Sequence, residues 1–211
     1  MTPVGAVTAK TADLPVYLDA IGQTLLMVVV TMLVGGILGL ALGVGLYVTR
    51  HGGILAQGPL HTVLNILVNI VRPIPFIILL VAIIPFTRLL VGTAIGTTAA
   101  MVPLVIAAIP FIGRQVETSL KEVPFGLVEA AQSMGATPAQ IIWKVLLPES
   151  MSSIVAQLTT VIISLVGESA MAGAVGGGGL GDLAIRYGYQ RFRPEIMLAT
   201  VIILIVLVQL V

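Results

Sequence analysis

From Ala20 to Thr49 the chain carries no charged side chain. The interior of a bilayer offers no water to backbone N–H and C=O groups, so a lipid-embedded segment must satisfy them internally. A helix of about 20 apolar residues spans the hydrocarbon. This run is longer, so its helix should tilt or project from the bilayer. Composition extends the argument to the whole chain, which is 58% hydrophobic and 9% charged where soluble domains carry about 25% charged residues. The expected fold is all-α and polytopic, with about five transmembrane helices and one polar excursion. Net charge is +1 and cysteine is absent. Nothing therefore points to nucleic acid, and disulfide and thiolate chemistry are excluded. Residues 1–19 read as a polar N-terminal tail with one basic residue, Lys10. The apolar run that follows is too long for a signal peptide, and residues 20–211 read as a single transmembrane domain.

Within the first span, Gly35, Gly39 and Gly43 fall four apart on one face, a spacing that lets a neighbouring backbone approach closely. Arg50, His51, Gly52 and Gly53 make a polar turn. A second apolar region, from about Pro59 to Phe86, contains Arg72-Pro73-Ile74-Pro75, and the two prolines should kink or break it. Arg72 is expected to snorkel to an interface; the alternative is that it lines a cavity. Thr87 and Arg88 read as a short connection, and the third span covers roughly Val91 to Ile112 with Pro103 and Pro110 inside it. The fourth runs from about Ser150 to Gly173. Its acid, Glu168, either faces the bundle interior or sits at an already wet helix end. Arg72, Pro75, Glu168 and Met171 are the candidate pathway or gate residues.

Gly176-Gly177-Gly178-Gly179-Leu180-Gly181 contains a G-x-G-x-x-G pattern. It follows a membrane span, not a strand, so the dinucleotide reading is rejected. A polar loop with Asp182, Arg186, Arg191, Arg193 and Glu195 beside Tyr187, Tyr189 and Phe192 fits an interfacial belt. His51 and His61 lie on different segments and do not form a metal pair by helical spacing. The last apolar run starts near Ile196 and continues to Val211.

The polar excursion runs from Glu117 to Pro148. Pro124 suits a first helical position, Gly135 a left-handed C-terminal cap, and Thr137-Pro138 the N-cap and first position of a second helix. Ile141, Ile142, Val145 and Leu146 give that helix an apolar stripe. A short exposed helix rich in small residues suits docking in a partner's groove; the plain alternative is a helical loop. The run Glu129-Ala130-Ala131, three residues, Gly135, nine residues, then Val145-Leu146-Leu147-Pro148 resembles the EAA signature of ABC importer permeases, with Val145 where isoleucine is usual. The resemblance implies a cytoplasmic coupling helix between the third and fourth spans that meets an ATPase subunit. It assigns Glu129, Ala130, Ala131, Gly135, Ala136, Pro138, Leu147 and Pro148 to that contact.

Other stretches are similar to methionine importer permeases: Leu46-Tyr47-Val48-Thr49-Arg50, Arg72 to Leu80, Ile84 to Arg88, Met134 to Pro138, and Gly176 to Ala184 with Tyr187 to Phe192. Their implication is a homodimer of this chain, two ATPase subunits and a methionine-binding lipoprotein. That machine would move methionine, L or D, across the inner membrane by alternating access. This chain would be non-catalytic and without a cofactor, ATP and magnesium being held by the partner ATPase. Such permeases usually carry a short basic tail after the last span, whereas this sequence stops at Gln209-Leu210-Val211. The basic residues of a five-span topology show no inside bias, so orientation follows from the resemblance alone: coupling loop and C-terminus inside, N-terminus outside. Besides membrane lipid, no other partner is implied. The rival readings are a permease for another small solute, an ion-coupled secondary transporter, and a channel or structural subunit.

Overall fold

The computed structural model describes residues 14–211; the tail expected over 1–19 lies outside that range except for its last six positions, which are already helical. Helix α1 runs Leu14–Thr49. Pro15 sits in its first turn, where a missing N–H leaves no bond unmade. After the turn at 50–57 come α2 (Gly58–Val71), α3 (Phe76–Ala82) and α4 (Ile84–Val91). The long helix α5 (Thr97–Lys121) leads into α6 (Phe125–Ser133) and α7 (Pro138–Ile141). A wide π-type turn at Ile142–Leu146 joins α7 to α8 (Leu147–Ala174). The glycine-rich segment closes into α9 (Gly179–Asp182), a second π-type stretch covers Leu183–Tyr189, and α10 (Pro194–Gln209) ends the fold. Among the described residues there is no strand.

Three helical stretches are long and apolar enough to cross a membrane: Leu14–Thr49, Thr97–Lys121 and Pro138–Ala174. The pair α2 and α3 is long and apolar enough only when taken together, and it is bent by 102° at residues 72–75, the shape of a broken span or of a re-entrant loop. The proline break expected there is thus a sharp corner. The apolar α10 has 16 residues, about 24 Å of helix, so the expected count of five is not reproduced by length alone. Thr87 and Arg88 are not a connection but part of α4, because Pro85 favours a helix start. α5 also begins later than expected, at Thr97, after Gly92 and Gly96 break the chain with φ of +81° and +100°. At its other end it runs on through Glu117 to Lys121.

The centre of the fold is the seam between α1 and α5. A methyl built on Gly39 would lie 2.7 Å from Ile112 Cβ, and one on Gly43 would lie 2.6 Å from both the Gly113 carbonyl oxygen and Val116 Cβ. The glycine stripe therefore works as helix packing: it lets α5 lie directly on the α1 backbone. Met27, Leu104, Ile112 and Leu120 fill the surrounding core, each with no exposed surface. At the far end of the seam the Gly179 N–H donates to Gln23 Oε1 (2.7 Å), and the Leu180 N–H donates to Thr24 Oγ1 (2.9 Å). The G-x-G-x-x-G stretch is accordingly a tight return of the chain against α1. The aromatic and arginine-rich segment beyond it, expected as a polar loop, is helical over Leu183–Tyr189, and Arg191 stacks over Tyr187 at 4.3 Å.

Candidate functional site: a polar helical loop and a charged hollow

The excursion begins as a continuation of α5. Arg114 donates to Glu117 Oε2 and Lys121 pairs with Glu117 Oε1, both at 2.6 Å. The other terminal nitrogen of Arg114 donates to Asn65 Oδ1 at 2.7 Å and Asn69 Oδ1 at 2.9 Å on α2. Glu117 is 2% exposed. This charged cluster ties α2 to α5 at the root of the loop. Spacings of three and four residues along α5 could have suggested the pairs within it; nothing in the sequence marks the two asparagines as their partners. Nearer the start of α2, His61 Nδ1 lies 3.1 Å from the Leu46 carbonyl oxygen.

The loop itself is built from standard helix ends. Pro124 caps α6 from outside instead of occupying its first position. Gly135 has φ +77°. Its N–H donates to the Gln132 carbonyl oxygen (2.9 Å), and the Ala136 N–H donates to the Ala131 carbonyl oxygen (3.1 Å). This pair of bonds is a Schellman motif. It explains the spacing in Glu129-Ala130-Ala131-x3-Gly135: Ala131 supplies the carbonyl and the buried contact, Gly135 the left-handed turn. Thr137 then caps α7 in a reciprocal capping box with Gln140, and Pro138 takes the first helical position. The box was missed at the sequence level, although Gln140 three residues after Thr137 is its signature.

The loop's faces divide cleanly. Val128, Ala131, Ile141 and Leu147 point into the core, and Ala136 is half-buried. Glu129, Ala130, Gly135, Pro138 and Pro148 are exposed. So are two large apolar side chains, Met134 at 82% and Trp143 at 70%. An outward face that mixes apolar and charged groups on a rigid double turn is suited to contact with another protein. Pro148 does not separate this loop from the next span. The Leu147 N–H reaches back five residues to the Ile142 carbonyl oxygen, and the wide turn absorbs the proline. Helix continues from Pro138 to Ala174, 37 residues.

The candidate pathway residues split. Arg72 and Glu168, 96 positions apart in sequence by their numbers, line one hollow of about 230 Å³ together with Ser164, Phe76, Leu79 and Phe111. Arg72 thus stands at a cavity. The snorkelling expectation gives way here to its alternative, a cavity lining: the uncharged run after Arg72 is divided between two short helices, α3 and α4, and the corner at residues 72–75 turns Arg72 toward α8. Glu168 Oε2 is buried without a hydrogen-bond partner. Pro75 caps α3 at the corner, and Met171 is half-exposed on α8; neither lines the hollow. Among the described residues no group of three His, Cys, Asp or Glu could hold a metal ion.

Residues 39–211 match the family described as binding-protein-dependent transport system inner membrane component. The chain is 58% identical over 194 residues to the probable D-methionine transport system permease protein MetI of Vibrio cholerae, an alignment that covers 92% of this chain and 86% of that one. It is 54% identical over 151 residues to the D-methionine transport system permease protein MetI of Escherichia coli K12, covering 72% and 70%. A solved inward-facing MetNI methionine ABC transporter superposes with a TM-score of 0.93 at 48% identity, over 95% of this chain and 94% of that chain.

Proposed function

The chain belongs to the family of binding-protein-dependent transport system inner membrane components, and from that premise we propose that it is the permease subunit of an ATP-driven methionine importer. Similarity to a methionine permease over 92% of the chain carries this reading. Two copies form the translocation pathway and two ATPase subunits drive it, binding ATP and magnesium themselves. A methionine-binding lipoprotein delivers the solute on the outer face. The loop from α6 to Pro148 lies on the cytoplasmic side, with the N-terminus outside and the C-terminus inside. ATP binding draws the ATPase subunits together, the loops follow, and the bundle opens outward; hydrolysis resets it. Glu129, Ala130, Gly135 and Pro138, with Met134 and Trp143, form the ATPase contact. Ala131, Ala136 and Leu147 hold that face in place from beneath.

The test is uptake of labelled methionine into proteoliposomes that contain this chain with its ATPase, supplied with binding protein and ATP. ATP-dependent and binding-protein-dependent accumulation is expected. A complex that assembles and hydrolyses ATP yet accumulates no methionine would retain the importer and discard the solute.

Gly135→Val tests the coupling face. No atom lies within 4 Å of a Cβ at this position, so the substitution acts through backbone conformation alone. A left-handed conformation costs an L-residue about 1–2 kcal/mol, a factor of roughly 5–30 in the population of the formed turn. Co-purification of the ATPase should fall accordingly, and Gly135→Asn, which tolerates that conformation, should keep it. Undiminished ATPase recovery with the valine variant would remove this turn from the contact.

A further inference from the structure

The hollow at the corner between α2 and α3 presents three kinds of surface. Arg72 contributes a guanidinium that takes part in none of the ion pairs found among the described residues. Glu168 contributes a carboxylate with one buried, unpartnered oxygen. Phe76, Leu79 and Phe111 contribute an apolar wall. Ser164 stands one turn before Glu168, and its hydroxyl donates to the Thr160 carbonyl oxygen at 3.1 Å, which leaves its lone pairs free to accept. Two opposite charges placed for mutual neutralisation would pair within 4 Å, and these do not. Ionisable groups at membrane depth face the bundle interior or a cavity and mark solute pathways. Pockets for drug-sized ligands run to about 300–1,000 Å³, so a hollow of about 230 Å³ suits something smaller.

We propose that this hollow is a transit site for a free α-amino acid with an apolar side chain, one in each copy of the chain. Glu168 and Ser164 accept hydrogen bonds from the α-ammonium, Arg72 donates to the α-carboxylate, and the side chain lies against Phe76, Leu79 and Phe111. Separated charges of opposite sign match a zwitterion and mismatch a simple cation or anion. The proposal rests on the importer reading above and deepens it: the permease itself, and not the binding protein alone, recognises the backbone groups of the solute.

The experiment measures equilibrium binding of labelled L-methionine to the complete permease–ATPase complex in nanodiscs without binding protein. Competitors are 4-(methylthio)butanoate, which lacks the ammonium, and methionine methyl ester, which lacks the carboxylate. Uptake by the same complex, with binding protein and ATP, is measured in parallel. Wild type should bind methionine saturably and each competitor more weakly by roughly 10–100-fold, the range set by one lost hydrogen bond to a charged group. E168Q and R72Q should each lose methionine binding by a similar factor, and E168Q should no longer discriminate against 4-(methylthio)butanoate. Saturable binding that ignores the loss of the ammonium overturns the site without recourse to any variant. So does unchanged affinity in both variants, and so does absence of binding in a complex that imports methionine. Absence of uptake by the wild-type complex overturns the importer reading instead.

Discussion

Gly43→Leu should prevent the α1–α5 seam from forming. The first added carbon already meets the Gly113 carbonyl oxygen and Val116 Cβ at 2.6 Å. One of these is backbone, which no rotamer change can move aside, and the other is a branched carbon on the facing helix. Overpacking a close-packed core costs about 1–3 kcal/mol even where neighbours can shift; here the helices themselves must separate. Helix association in lipid depends on such close approach, because the surrounding tails are as apolar as the side chains. The expected result is loss of the monodisperse species in size-exclusion chromatography from detergent. Gly36→Leu is the control, since a Cβ there meets no atom within 4 Å. Wild-type behaviour of Gly43→Leu would show that the seam is dispensable.

Glu117→Ala should produce the second largest loss. Glu117 is buried and holds Arg114 and Lys121 at once. Removing one partner of a buried ion pair costs about 3–5 kcal/mol. Lys121 is 46% exposed, so its share is small and the lower end applies. For a chain of this size about 3 kcal/mol corresponds to a fall of roughly 6–12 °C in the thermal midpoint. Glu117→Gln, which keeps a hydrogen-bonding side chain of the same length, should lose less. A midpoint for Glu117→Ala within 2 °C of wild type, on the order of 1 kcal/mol or less, would mean that the asparagines alone hold Arg114 and α2 in place.

The polar loop between α5 and α8 was the most legible part of the chain. Its signals are local: Gly135, Thr137 and Pro138 each act within a turn, and each does in the fold what its chemistry suggests. The glycine stripe of α1 was legible for the same reason, being a property of one helix face. The helix limits were harder. Glu117 and Lys121 looked like the start of a polar loop, yet charges at positions 114, 117 and 121 satisfy one another along α5, so the helix continues through them. Pro148 looked like a boundary, and the wide turn beside it removes the need for one. The meeting of Arg72 with Glu168 depends on a 102° corner between elements far apart in sequence. Periodicity announces that the prolines bend the chain there, but not toward which helix.

The wide turn at Ile142–Leu146 also sets an angle. A helix advances about 100° per residue, and a bond that reaches back five residues, not four, holds one residue more than a regular turn. Helix runs unbroken from Thr137's cap to Ala174, so α7 and Glu168 ride on one shaft about 55 Å long. The added residue fixes the bearing of the loop's outward face relative to the side of α8 that carries Ser164 and Glu168.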